Sequence, residues 1–317
     1  MSRKNCQEEY INRIHKVQDY IEQHLDNVPT IEELSLVAGF SKYHFSRIFQ
    51  AILHEPLAHY VHRLRIENAL FMLAHRPDKN LTEIGLELGY TDSAIFSRAF
   101  KRYIGVSPRE YRKEYVSNFK ENFLLSDYNK RNDNKNKIEG QPIVTGKIVV
   151  ETIEEKQVAY VRHTGTYETL EKEYANLIDT LFMAAEKQHL LVKNEGTDRD
   201  LHDPYKNWIL AIYHDNPEFS EDESFRTSIC LTVPDDIPIR EDGILGRMVL
   251  EGGLYVVGHF EIKREQYEDA WNYMYLEWIA TNGYVPRSSY PFEVYRNNPS
   301  LDEKHIHKVD IYVPVEK

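Results

Sequence analysis

A chain of 317 residues, 41% apolar, is too long for one compact core of usual size and is expected to fold as about two globular domains. Its two cysteines, Cys6 and Cys230, exclude a disulfide framework and sit in no zinc-binding spacing. The polar start MSRKNCQEEY is followed by no apolar run, and nowhere do about 18 apolar residues stand together. The expectation is a reduced, soluble, cytoplasmic protein with no membrane partner and no cofactor.

The net charge of −12 is unevenly placed. Residues 1–147 hold 22 Lys and Arg against 19 Asp and Glu, and the remainder holds 17 against 32. Phosphate affinity comes from Lys and Arg displacing counterions, so only the first part suits DNA, and the acidic part should be held away from it.

In chain order, Tyr10, Ile14, Val17, Ile21 and Leu25 recur every three or four residues and predict an amphipathic first helix. Thr30 and Glu33 form a capping box for a short helix from Ile31 to Ala38, which ends at Gly39. Ser41 then caps a second helix whose inward face is Phe45, Ile48 and Phe49, leaving Tyr43, Ser46, Arg47 and Gln50 outward. From Pro56 to Ala74 one long helical pattern continues the chain, carried by Leu57, Tyr60, Val61, Leu64, Leu70 and Leu73. The first pair of helices is then repeated. Asn80 and Glu83 cap a helix from Leu81 to Leu88, Gly89 turns the chain, and Thr91-Asp92 caps a helix that faces Phe96, Ala99 and Phe100 inward. Ser93, Ala94, Ser97, Arg98 and Lys101 face outward. Ser107-Pro108-Arg109-Glu110 opens a final helix with a capping box and proline at its first position.

The two copies, GFSKYHFSRIFQAILHEPLAHY from Gly39 and GYTDSAIFSRAFKRYIGVSPREY from Gly89, share F-S-R-x-F in register. Each reads helix, tight turn, helix. One copy alone leaves an ordinary helical hairpin with a solvated face as the lesser reading; two in one chain favour DNA more strongly. An arginine forks onto guanine O6 and N7, and small or hydroxyl side chains let a helix approach the base edges. If both helices enter one face of the duplex, their sites lie about 34 Å apart.

Residues 8–116 resemble the AraC/XylS family of bacterial transcription regulators, through Gly89-Tyr90, Phe96-Ser97-Arg98, Phe100-Lys101, Gly105, Ser107-Pro108 and Tyr111-Arg112. The resemblance implies an all-α domain of two helix-turn-helix units joined by a long helix. It also implies promoter DNA as partner, with RNA polymerase as a further one, and activation as the output. His54 stands where the family often has glycine, and Ala94 where a longer polar side chain is common.

Ser126 to Gly140 is too poor in apolar groups to form a core, so residues 117–146 read as a linker. Phe119, Phe123 and Leu124 are apolar residues within it without an assigned place. From residue 147 the period changes. Strands are predicted at Ile148–Ile153, Val158–Arg162, Trp208–Tyr213, Thr227–Val233, Gly253–Glu261, Phe292–Tyr295 and Val309–Val313, with helices at Glu168–Gln188 and Glu265–Ala280. A strand-helix-strand-strand order occurs twice, giving an α+β domain over 147–317. Two such copies across a shared sheet create a central cleft for a small ligand.

Trp271, Tyr275 and Trp278 fall on one helical stripe, and Tyr167, Trp208 and Tyr213 add aromatics elsewhere; all are candidates for the cleft and equally for plain core. Alternation sends Phe292 and Val294 one way, Glu293 and Tyr295 the other. Glu293 is then either a carboxylate on a wet sheet face or a buried charge that needs a cation or hydrogen-bond donors. An aromatic organic cation would answer the charge and stack on the rings.

This half resembles the GyrI-like effector-binding domain found in Rob-like regulators. The likenesses are YVRHTGTYETL from Tyr160, AIYHDNPEF from Ala211, WNYMYLEWI from Trp271, PFEVYRNNP from Pro291 and VDIYVPV from Val309. The resemblance implies that Glu293 lies in the ligand cavity; Tyr295 joins it as a candidate through the alternation alone. The second half-repeat, GHFEIKREQYEDAW, departs from it by lacking the Gly-x-Tyr loop of the first. The leading reading is a ligand-responsive transcription regulator and not an enzyme. Two alternatives stand: a small-molecule hydrolase using Glu293 and Tyr295 on water, and an adaptor binding a topoisomerase or polymerase. His59 with His62, and His305 with His307, are pairs too small for a metal site.

Overall fold

The computed structural model describes residues 3–115, 146–193, 206–215, 225–240 and 244–317; the predicted linker lies almost wholly outside them. The first part is helical: α1 (Arg3–Gln23), α2 (Ile31–Val37), α3 (Lys42–Leu53), α4 (Leu57–His75), α5 (Leu81–Glu87), α6 (Ser93–Ile104) and α7 (108–115). Both capping boxes form: Thr30 Oγ1 accepts from the Glu33 amide, and Asn80 Oδ1 from the Glu83 amide. Ser107 and Glu110 make a third at the start of α7. At the remaining two caps the outcomes differ. Asp92 Oδ1 accepts from the Ile95 amide at 2.7 Å, whereas Ser41 holds the cap position of α3 without a side-chain bond.

The turns that close α2 and α5 use Gly39 at φ 64° and Gly89 at φ 75°. A Cβ on Gly89 would meet the Asp26 carbonyl and the Arg65 guanidinium, so this glycine also lets the two units approach. The turn after α3 is made by His54 at φ 58°, a left-handed residue where glycine costs least. Two small cores result. Ile14, Val17, Ile21, Leu34, Phe45, Phe49 and Tyr60 hold α1 over the first unit, and Ile66, Leu70, Leu73, Ile84, Phe96 and Phe100 hold the second. α4 contributes to both, which fixes the units on one rod.

The second part contains β1 (Gly146–Ile153), β2 (Lys156–Thr164), α8 (Tyr167–Lys187), β3 (Ile209–Tyr213), β4 (Arg226–Val233), β5 (Gly246–Leu250), β6 (Gly253–Ile262), α9 (Tyr267–Asn272), β7 (Val285–Pro286), β8 (Phe292–Tyr295) and β9 (His307–Glu316). Among the described residues the strands form one sheet in the order β1-β6-β9-β8-β3-β4-β2-β5, with β7 beside β9; all pairs are antiparallel. The expected duplication is present as β2-α8-β3-β4 and β6-α9-β8-β9, joined where β3 pairs β8. Each repeat also lends a leading strand to the other: β1 precedes β2 but pairs β6, and β5 precedes β6 but pairs β2. β5 and β7 were not predicted, being short strands at the margin of the sheet.

The helix predicted over Glu265–Ala280 differs from expectation. It opens with a 3-10 turn at Arg264–Gln266, is α-helical over Tyr267–Asn272, and continues as a π-helix over Tyr273–Ile279. A π segment closes i→i+5 rather than i→i+4 bonds and so rotates the residues beyond it about the helix axis. Trp271 and Tyr275 still stack, at 6.1 Å between centroids, but Trp278 turns away to stack on Tyr284 at 5.8 Å.

Candidate functional site

The helical part presents α3 and α6 to solvent. Tyr43 is 84% exposed, and Arg47, Gln50, Ala94, Arg98 and Lys101 are also exposed, while Ser46, Ser93 and Ser97 are half-buried. The reason lies in the pattern: Phe45 and Phe49, like Phe96 and Phe100, are fully buried and orient each helix about its axis. Ile95, 40% exposed beside Ala94, was not singled out in the sequence; an apolar side chain there suits a thymine methyl.

Glu293 sits in β8, paired through β3 with Ala211 and through β9 with Ile311. Its neighbours Phe292 and Val294 join the core on the opposite face, so the alternation places Glu293 and Tyr295 together as expected. Glu293 is 1% exposed. Its Oε1 accepts from Trp271 Nε1 at 2.7 Å, and its Oε2 accepts from the hydroxyls of Tyr213 and Tyr295, each at 3.0 Å. All three donors are neutral. Burial raises its pKa above the ordinary carboxylate range, and the bonds from Trp271, Tyr295 and Tyr213 oppose that rise.

These groups open into a cavity of about 1530 Å³, larger than the roughly 300–1,000 Å³ of most small-molecule sites. Trp271, Tyr275, Tyr213 and Tyr295 line it, as do Tyr174 and Tyr267, which were not foreseen. Two candidates fall elsewhere. Trp208 lies in phase with Leu210 and Ile212, so the two-residue period sends it to the other sheet face, where it packs on Tyr312 at 5.8 Å. Trp278, displaced by the π segment, belongs to the core with Tyr284. The side chain of Tyr167 lies outside the described residues.

The same cavity touches the helical part. Glu22 and Leu25 of the α1 region and Leu64, Glu67, Phe71 and His75 of α4 line it. A buried polar contact holds the two parts together nearby. Asp19 pairs through Oδ1 with Arg162 at 2.7 Å, and its Oδ2 accepts from the Tyr160 hydroxyl. Glu22 pairs with Arg226, which is 2% exposed, and accepts from Tyr290. Arg226 is further held by Asp215 and donates to the Tyr60 hydroxyl at 2.9 Å. His15 and His214 lie in this contact, and burial, reinforced by Arg162, pushes both pKa values well below the ordinary histidine value. The sequence hint was α4 itself, whose apolar residues fall on several sides instead of one stripe, as in a helix with partners on two sides.

Among the described residues no group of three or more His, Cys, Asp and Glu gathers to hold a metal, and no helix is long and apolar enough to cross a membrane. The paired histidines have other partners: His62 meets the Tyr103 ring edge-on, and His307 bonds Tyr267.

A family model described as a GyrI-like small molecule binding domain matches residues 146–316. A second, described as a helix-turn-helix domain, matches residues 34–114. The chain is similar to a DNA gyrase inhibitor of Yersinia enterocolitica, 34% identical over 116 residues, covering 36% of this chain and 72% of that protein. It is similar to an uncharacterized HTH-type transcriptional regulator of Staphylococcus aureus, 34% identical over 101 residues. That match covers 32% of this chain and only 13% of the longer relative. A solved structure, the cryo-EM EcmrR–DNA complex in EcmrR-RPo, is 16% identical with a TM-score of 0.43, covering 91% of this chain and 100% of that one.

Proposed function

Because this chain belongs to the GyrI-like small molecule binding family and carries an AraC-type helix-turn-helix domain, making it a ligand-responsive transcription regulator, we propose that its effector is a hydrophobic organic cation seated at Glu293. Residues 8–116 bind promoter DNA and residues 147–317 receive the effector. The observation that carries the reading is a carboxylate 1% exposed in an aromatic cavity with neutral donors alone on its oxygens. A buried charge answered only by neutral donors still costs several kcal/mol, which a cation stacked on Trp271 and Tyr275 would recover.

On the DNA side, Arg47 and Arg98 read bases, with Tyr43, Ser46, Gln50, Ser93, Ala94, Ser97 and Lys101 around them. The output is activation, with RNA polymerase as the further partner, as the likeness to AraC/XylS regulators implies. Calorimetry with tetraphenylphosphonium is expected to give binding that Glu293→Gln weakens by tenfold or so; equal affinity would remove Glu293 from the site. Recovery of the intact cation by mass spectrometry is expected, and turnover would favour a hydrolase. Loss of sequence discrimination by about 1–3 kcal/mol in Arg47→Ala and Arg98→Ala footprints tests the DNA face.

A further inference from the structure

α4 has a second face. Leu64, Glu67, Asn68, Phe71 and His75 recur at helical spacing and all line the cavity, while Ile66, Leu70 and Leu73 on the other side belong to the core of the second helix-turn-helix unit. One helix is thus a wall of the chamber and the rod that carries both units.

The chamber's aromatic lining runs without a break onto this wall. Trp271, which donates to Glu293, stacks on Tyr275 at 6.1 Å; the Tyr275 ring lies 6.1 Å from His75; and His75 lies 4.8 Å from Phe71. Burial lowers the His75 pKa to about 4, so its ring is neutral at physiological pH and does not repel a cation. Next to His75, Arg76 reaches Glu316 at the end of β9, which fixes the end of α4 against the sheet domain.

We propose that the DNA-binding domain completes the effector site: a cation held at Glu293 rests on Phe71 and His75 of α4, so that occupancy bears directly on the helix that sets the two recognition helices apart. This rests on the cation reading of Glu293. No relay through the sheet is needed, since the effector touches the DNA-binding domain itself. Any change it makes in DNA affinity is returned as an equal change in cation affinity when DNA is bound.

The test uses the full chain and an azido derivative of tetraphenylphosphonium. After photolysis, crosslinks are expected within residues 64–75 as well as within 267–275; crosslinks confined to 146–316 would overturn the proposal. In calorimetry with the parent cation, Phe71→Ala and His75→Ala should each weaken binding roughly three- to tenfold. If Glu293→Gln weakens binding while both α4 variants bind as the parent does and crosslinks avoid α4, the effector site stands and its α4 wall falls. If the cation does not bind the parent chain, or Glu293→Gln has no effect, the cation reading itself fails and this proposal with it.

Discussion

Removing the Glu22 carboxylate should uncouple the two domains. Glu22 is one turn from Asp19 on α1, and its partner Arg226 is buried from the other domain, bound also by Asp215 and by the Tyr60 hydroxyl. Breaking a buried pair so that a charge is left alone costs about 3–5 kcal/mol. Here Asp215 and the Tyr60 hydroxyl still accept from Arg226, so the loss is smaller for Glu22→Gln, about 1–3 kcal/mol, because the amide oxygen also keeps an acceptor for Tyr290. Glu22→Ala strands the Tyr290 hydroxyl as well and should approach the upper figure. Urea unfolding of the full chain, monitored by circular dichroism and by pulse proteolysis, is expected to show one transition in the parent. It should split into two in Glu22→Ala, the helical domain melting first. A double-mutant cycle of Glu22→Gln with Arg226→Met should return a coupling above about 1 kcal/mol. A single unshifted transition, with coupling near zero, would refute the reasoning. It would mean that the domains are held by apolar contact and the ion pairs add nothing net.

Acid should loosen the same contact. The folded pKa values of His15 and His214 are depressed by burial, so their contribution is complete above the unfolded value of about 6.5 and is lost as pH falls through the folded values. Urea midpoints falling between pH 7.5 and pH 5, with less fall in His214→Gln, is the expected result. For Glu293 the sign reverses. Its raised pKa favours the folded state below about 4.5 and loses that contribution as pH rises through the folded value, over the range where cation affinity should climb; calorimetry at stepped pH checks this, and Glu293→Gln should flatten the profile. His54→Gly, which relieves a left-handed residue at φ 58°, should stabilise by about 0.5–1 kcal/mol in thermal melts, provided the turn keeps its shape.

Much of this was legible because it is local. Caps, glycine turns and a 3.6-residue period lie within a few residues of one another, and they set the bounds of α2, α4 and α5 and the starts of α3, α6 and α7 within a residue or two. The two-residue period of Phe292–Tyr295 likewise decided which face Glu293 takes, since pleating leaves no other choice. The same rule, applied to Trp208 from its phase with Leu210, would have removed it from the site. Trp278 could not have been corrected in this way, because a π turn leaves no mark in the spacing of apolar residues and depends on how the helix meets the sheet.

What the sequence determined by itself, then, was two helix-turn-helix units with Arg47 and Arg98 outward and a duplicated sheet domain in which Glu293 and Tyr295 share the face opposite Phe292 and Val294. Tertiary structure alone decided that β1 and β5 exchange between repeats and that Asp19 and Glu22 find Arg162 and Arg226. It alone turned one face of α4 into a wall of the chamber. These contacts join residues far apart in the chain, and nothing in the spacing of either partner specifies the other; only the packed arrangement of both domains brings them within reach.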